Sequence, residues 1–401
     1  MLSYIFRAFR YRDFRILWFG ACTSSVGTWM QKLAQSWLVL QISNSPFLLG
    51  LDAFLGEIPI FLFSLVGGAV ADRMDRRVLL LASQVIQMSC AFTLALLFAF
   101  DVVRVWHILC LSFLVGLAQA FGGPAYAALI PGLVKPDDLP NAIAMNSIQF
   151  NLARVIGPML GGLALTELGA AWCFALNGVS YLAVIASLFA LSVRFRPASA
   201  EASILASMKA GLGFIRRQAA MLSLIGLAFS TTVLGVPVVV FLPVFARDIF
   251  HQGPNLYTLL LSLSGAGSIV GALLVAGFGE QRHKGWAALA GLVTLGTSIA
   301  GFALSRNLAL SCALLFVAGA SMMVVFAMVT SLVQLLTQDE MRGRVMSVYN
   351  VAFRGGMPIG SLLTGMLVPV FSAPVVLGVA GGLLVLLGVY FMLGHREIAS
   401  L

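Results

Sequence analysis

Five ionisable side chains, Lys32, Asp52, Glu57, Arg154 and Arg354, lie inside long apolar runs. Each costs about 2.5–3.5 kcal/mol in a bilayer, so such groups pair, exchange protons or bind ions. At about 1.5 Å of helical rise per residue, Lys32 and Glu57 each fall roughly 15 Å inward from the outer ends of their runs. The matching depth admits two readings. They form a structural ion pair, or Glu57 exchanges protons while Lys32 senses its charge or holds an anion. Asp52 lies nearer the outer end, as a solvated vestibule residue or a second proton site.

Arg154 and Arg354 sit about 20 Å and 14 Å from the inner ends of their runs. Each follows an Asn and a Ser on the same helical face, Asn151 with Ser147 and Asn350 with Ser347. Two such guanidinium groups suit bidentate recognition of a carboxylate, phosphate or catecholate. Alternatively, each caps carbonyls freed near Pro158 and Pro358. Thr28 and Gln35 share the Lys32 face and extend the polar surface, with Gln119, Gln149 and Asn177 as weaker additions. Met322, Met323 and Met328 line an adaptable apolar surface or simply fill the core.

No other chemistry competes with these residues. The histidines, His107, His251, His283 and His395, are scattered singly, and the five cysteines form no close-spaced metal pair. No Gly-rich loop ending in Lys-Ser/Thr is present to cradle a nucleotide, so no cofactor or metal is expected.

The elements that position these side chains must be membrane helices. The 401 residues are 60% hydrophobic and 10% charged, with mean hydropathy +1.00, whereas soluble chains are about 25% charged. About twelve spans are expected, at 16–42, 48–71, 78–100, 106–130, 141–168, 172–194, 221–250, 256–278, 285–304, 308–336, 345–371 and 374–394. The fold class is thus all-α, two six-helix bundles at 16–194 and 221–394 joined by a polar linker at 195–220. A basic interfacial or solvated segment, 1–15, precedes them, and a tail, 395–401, follows. The first span is retained, because Arg7 to Arg15 lead into a run too long for a signal peptide.

Eighteen of the 24 Lys and Arg residues fall on one set of loops and three on the other. That bias places both termini in the cytoplasm of a multi-pass cell-membrane protein and explains the +9 charge through anionic lipid rather than nucleic acid.

The two halves repeat. Arg154 and Pro158 recur 200 positions later as Arg354 and Pro358, and Asp72, Asp75 and Arg76 have counterparts in Glu280, His283 and Lys284. Gly68-Ala-Val-Ala-Asp72-Arg73-Met-Asp75-Arg76-Arg77 resembles motif A of the major facilitator superfamily. There Gly68 would allow close helix approach, while Asp72, Asp75, Arg73, Arg76 and Arg77 would cap helices, pair at a cytoplasmic gate and meet headgroups. Arg154-Val-Ile-Gly157-Pro158-Met-Leu-Gly161-Gly162 resembles the end of motif C, with Gly157 and Pro158 as a gate hinge; Ser147 and Gln149 stand where that motif has glycines.

Gly27-Thr-Trp-Met-Gln31, Asp138-Leu-Pro-Asn-Ala-Ile-Ala144 and Trp172-Cys-Phe-Ala-Leu-Asn177 resemble the superfamily branch of enterobactin exporters and macrolide efflux permeases. The resemblance implies a monomeric exporter of a small organic molecule, working by alternating access on an ion gradient, with protons as partner. A lysophospholipid or other lipid carrier is the alternative. A lipid-modifying membrane enzyme is remote, since no paired His or Asp ligands are present.

Overall fold

The computed structural model describes residues 6–192, 204–277 and 283–393, with side chains from residue 210 onward in the helix that starts at 204. Arg194, Arg196, Glu280, Arg282, His395, Arg396, the Lys209 side chain and the 395–401 tail lie outside the described residues. The described residues are helical almost throughout, because a backbone in hydrocarbon must satisfy its own hydrogen bonds. Two compact units result. The first comprises Met1–Ser43 with Leu55–Glu201, and the second Asn44–Phe54 with Ala202–Leu401.

Six long helices precede the polar break: α1 (Arg12–Ser43), α2 (Pro46–Arg73), α3 (Arg76–Ala99), α4 (Val105–Leu129), α5 (Leu139–Glu167) and α6 (Ala170–Ala190). Tight turns end them at Asn44 and Asp101, with φ of 51° and 54°, and at Gly169, with φ of 88°. Those are residue types that tolerate left-handed backbone. The first nine residues of α2, up to Phe54, sort with the second unit, where a Cβ on Gly50 would lie 2.5 Å from the Ser361 carbonyl.

After the break come α7 (Ile204–Arg216), α8 (Ala219–Gly235), α9 (Pro254–Gly277), α10 (Lys284–Leu304), α11 (Leu308–Leu335), α12 (Asp339–Phe371) and α13 (Ala373–Leu393). Pro237 and Pro243 break the run beyond α8 into short helical pieces that end in a π-turn, Phe245–Ile249, as missing amide donors require. Eleven helical segments among the described residues are long and apolar enough to cross a membrane. Helix α1 has 32 residues but is too polar to join them.

Two segments outside the expected spans carry structure of their own. The 195–220 linker is not merely polar chain: it contains α7, whose Ile215 is buried and whose Gly211 sits against the Arg344 carbonyl of α12. Its small and apolar residues alternate with Arg216 at helical spacing, a pattern hidden by the adjoining charges. The described part of the basic N-terminal segment begins at Phe6. It forms a single turn, Arg7–Arg10, and then enters α1 at Arg12. Ala8 is fully buried, and its amide donates to Asn141 Oδ1 at 2.9 Å.

Inside each unit the same pairs of helices meet. In the first, α1 packs on α5 and α3 on α4 and α6; in the second, α8 packs on α12 and α10 on α11 and α13. The closest crossings depend on glycine. A Cβ at Gly157 would lie 2.5 Å from Trp29 Cβ and 2.8 Å from the Val26 carbonyl, and one at Gly161 would lie 2.9 Å from the Met30 carbonyl. Gly356 likewise meets Phe229 and Thr232, and Gly360 meets Val233. Val26, Trp29 and Met30 thus correspond to Phe229, Thr232 and Val233, and Gly157 and Gly161 to Gly356 and Gly360; this contact register is one residue off the Arg154/Arg354 spacing and sets Phe353 opposite Arg154.

Candidate functional site

In the first unit the ionisable residues gather on one aromatic ring. Trp29 projects from α1 where Gly157 lets α5 come close. Lys32, one turn on, places Nζ 5.5 Å from the centre of the Trp29 ring, and Arg154 of α5 places Cζ 5.8 Å from it. Phe150, one turn before Arg154, meets the same indole edge-on at 6.0 Å. An indole face attracts cations, so it holds two like charges near one another. Lys32 Nζ also reaches Glu57 Oε1 of α2 at 3.5 Å. The Lys32 side chain is 55% exposed, so this pair is worth less than about 1 kcal/mol and separates easily.

Arg154 is the unsatisfied member. Its Nε is buried and has no hydrogen-bond partner, and among the described residues its guanidinium donates to no carbonyl. That removes the reading in which it caps backbone freed by Pro158. A buried donor without an acceptor is costly, and a bound anion would satisfy it. Arg354, in the second unit, is exposed and makes no ion pair or hydrogen bond among the described residues. Asn151 donates to the Ser147 carbonyl at 2.9 Å, while Asn350 stays exposed.

Around the ring lies a polar network that holds the helices in place. Asn177 of α6 donates to Gln31 Oε1 at 2.6 Å, Gln31 to Gln35 at 3.3 Å, and Gln35 to Ser112 Oγ of α4 at 2.8 Å. Thr28 meets the Tyr181 hydroxyl, which donates to Gln87, and Gln87 donates in turn to Ser83 and Gln119. Gln149 donates to Ser25 and accepts from Tyr126. Gln149 and Asn177 are therefore spent inside the helix bundle and do not extend a polar surface. Asp52 is buried at 6% exposure, which overturns the solvated-vestibule reading of that residue.

The Gly68 to Arg77 stretch works through helix ends. Asp75 Oδ1 accepts from the Arg77 amide at 2.8 Å and caps α3. Arg76 donates to the Ala71 and Ala128 carbonyls and lies 3.7 Å from Asp72. Arg77 donates to the Phe189 carbonyl at 3.1 Å near the end of α6. Cations thereby meet the negative ends of three helices. Arg73 is exposed. Gly68 requires correction: a Cβ there would meet nothing within 4 Å, whereas one at Gly67 would lie 2.2 Å from the Ala120 carbonyl of α4. The close approach falls on the neighbouring glycine because helical rotation turns Gly68 away from α4.

Two features escape a reading of residue types. Trp29 stands in an apolar run where an aromatic is ordinary, and only its spacing to Lys32 hinted at a role. The second is a clasp on the first turn: Asp138 pairs with Arg7 Nε at 3.0 Å and accepts from the Tyr11 hydroxyl at 2.8 Å. That hydrogen bond pushes the Tyr11 phenol above its ordinary pKa. Among the described residues no cluster of His, Cys, Asp or Glu is arranged to hold a metal.

Comparison with known proteins gives a consistent picture. A family profile described as transmembrane secretion effector matches residues 4–397. Macrolide efflux protein A of Streptococcus pyogenes is 22% identical over 362 residues, 88% of each chain. The staphyloferrin A transporter of Staphylococcus aureus is 24% identical over 86% of this chain and 87% of its own. The enterobactin exporter EntS of Citrobacter koseri is 26% identical over 96% of this chain and 92% of its own. Among solved structures, a peptide transporter POT superposes with a TM-score of 0.78 at 14% identity, covering 97% of this chain and 95% of its own.

Proposed function

We propose, from the premise that this chain belongs to the transmembrane secretion effector family of the major facilitator superfamily, that it exports an anionic or amphipathic small organic molecule across the cell membrane in exchange for protons. The family membership rests on a match across nearly the whole chain, and its relatives include efflux proteins for macrolides and transporters of siderophores. The chain is a multi-pass transporter and not an enzyme. In this reading it crosses the membrane twelve times, α1 included, with both termini in the cytoplasm, and works as a monomer by alternating access.

One observation carries the proposal: the buried, unpartnered Nε of Arg154 beside Trp29, Lys32 and Glu57. With Glu57 ionised, Lys32 is neutralised and Arg154 is the free cation. The anion binds Arg154 in this state and is carried outward. After its release outside, Glu57 takes up a proton, Lys32 leaves the pair, and the cargo-free carrier returns and gives the proton up to the cytoplasm. Cargo and proton are thereby linked through one weak pair, and a ligand can shift such an equilibrium only by its differential affinity for the two states.

The test uses everted vesicles holding a pH gradient, with erythromycin, staphyloferrin A and enterobactin as candidate cargoes. Wild type should show cargo-dependent proton release, and Glu57→Gln should not. Coupling unchanged in Glu57→Gln would remove Glu57 as the proton site. Arg154→Ala should weaken transport of the siderophores by tenfold or more and spare the macrolide; equal losses would count against anion recognition.

A further inference from the structure

The second unit contains a cavity of about 450 Å³ between α11 and α12 that the arginine site does not use. One wall is aromatic. Phe326 and Phe353 meet edge-on at 4.8 Å, and Tyr349 lies nearly parallel to Phe353 at 6.1 Å. The remaining wall carries Thr330, Ser331, Gln334 and Asn350.

Counting protons shows what the polar wall can accept. Thr330 has one hydroxyl proton and gives it to the Phe326 carbonyl at 2.6 Å, so the Tyr349 hydroxyl, 2.8 Å away, must donate to Thr330 Oγ1. The phenol oxygen is then left as an acceptor. Lys284 Nζ donates to Ser331 Oγ at 3.4 Å, which leaves the Ser331 proton free to donate. The Gln334 and Asn350 amides make no hydrogen bond within the described residues. No carboxylate lines the cavity, and the Lys284 ammonium reaches one of its lining side chains, Ser331. A cation would find no counter-charge here, and an acyl chain would bury amides and hydroxyls without partners.

We propose that this cavity binds a planar aromatic ring carrying an acidic oxygen and, elsewhere on the ring, a hydroxyl, an aromatic hydroxy acid. The ring stacks on Phe353. The acid oxygen accepts from Ser331 close to Lys284, and the hydroxyl donates to Tyr349. This deepens the export reading by naming the cargo class, and rests on that reading.

The probe is 6-hydroxy-2-naphthoate, measured by equilibrium dialysis against the full chain in lipid nanodiscs, with empty nanodiscs as reference. Decahydronaphthalene-2-carboxylate supplies the charge without the ring, and naphthalen-2-ylmethylammonium the ring with the opposite charge. Wild type should bind the hydroxynaphthoate at least tenfold more tightly than either. Phe353→Leu should weaken it about five- to tenfold and leave the saturated acid unchanged, Phe353→Tyr should retain affinity, and Ser331→Ala should weaken both acids.

Binding no greater than to empty nanodiscs, or equal binding by wild type, Phe353→Leu and Ser331→Ala, overturns the proposal. If Phe353→Leu does not fold, Ser331→Ala against Phe353→Tyr decides it. The assay needs no gradient. A chain that binds the probe but exports nothing therefore overturns the export reading alone, and a chain that exports with binding indifferent to these variants overturns the cavity alone.

Discussion

Two adjacent glycines at the inner end of α2 should respond oppositely to one added methyl group. At Gly67 a Cβ would lie 2.2 Å from the Ala120 carbonyl oxygen and 3.1 Å from Phe121 Cα, whereas at Gly68 nothing lies within 4 Å. The obstacle at Gly67 is backbone, which cannot rotate aside as a side chain can. Restoring an ordinary contact requires α2 and α4 to separate by about 1.2 Å, in an interior packed as densely as a crystal. Overpacking of this kind costs about 1–3 kcal/mol. Both Gly67→Ala and Gly68→Ala gain the same helix propensity, up to about 1 kcal/mol. The difference between them therefore isolates the clash.

Reaction of buried thiols during heating provides the assay, because Cys90 of α3 and Cys173 of α6 are 5% and 0% exposed and both belong to the first unit. Gly68→Ala should unfold at or above the wild-type temperature. Gly67→Ala should expose these thiols several degrees lower. Equal midpoints for the two variants, or a lower one for Gly68→Ala, would refute the assignment of close approach to Gly67.

Trp29→Leu removes the surface that holds two cations and should cost anionic cargo about 1 kcal/mol, roughly fivefold, in apparent affinity; Trp29→Phe should recover part of it. Uptake titrations in everted vesicles check both. Asp138→Asn breaks the Arg7 pair and weakens the Tyr11 hydrogen bond, so the thiol-exposure midpoint should fall. The Tyr11 phenol is raised in the folded chain, so its contribution is complete below the unfolded value near 10 and is lost as pH rises through the folded value. Melts between pH 9 and 11 should therefore show the wild-type advantage over Asp138→Asn shrinking only at the alkaline end.

Much of this was legible in residue types and spacing. Apolar run length located the long helices, because a bilayer fixes that length. Equal depth brought Lys32 and Glu57 together, and the structure separates them by 3.5 Å. Spacing along the chain also exposed the repeat of Arg154 and Pro158. What escaped depends on rotation and on tertiary neighbours. The motif resemblance could not tell Gly67 from Gly68, since that requires knowing which face meets α4. Asp52 lay at a depth that suggested water, yet the surrounding chain buries it. The docking of the first turn on Asp138 and Asn141 joins positions more than 120 residues apart, beyond the reach of any local pattern.

The repeat itself explains why one half binds charge differently from the other. Glycines in α5 and α12 admit the backbones of α1 and α8 at equivalent points, so both units share one frame. On that frame the position of Trp29 in the first unit is Thr232 in the second. Thr232 is fully buried and returns its hydroxyl to the Ala228 and Phe229 carbonyls. It offers no face to a cation. The same frame sets Phe353 opposite Arg154, so Arg354 lies one residue further round α12 and stands exposed, whereas Arg154 lies on the indole with a buried nitrogen unpaired. Exchanging this single position tests the inference. Thr232→Trp alone would collide with Gly356, where even a methyl group overlaps Thr232 Oγ1, so the informative change is Trp29→Thr. It should free Arg154 from its ring without altering the glycine crossing, keeping the thiol-exposure midpoint within about 1 kcal/mol of wild type while siderophore transport falls. A large loss of stability with transport per folded molecule intact would mean that Trp29 is a packing residue and that the asymmetry of the halves has another origin.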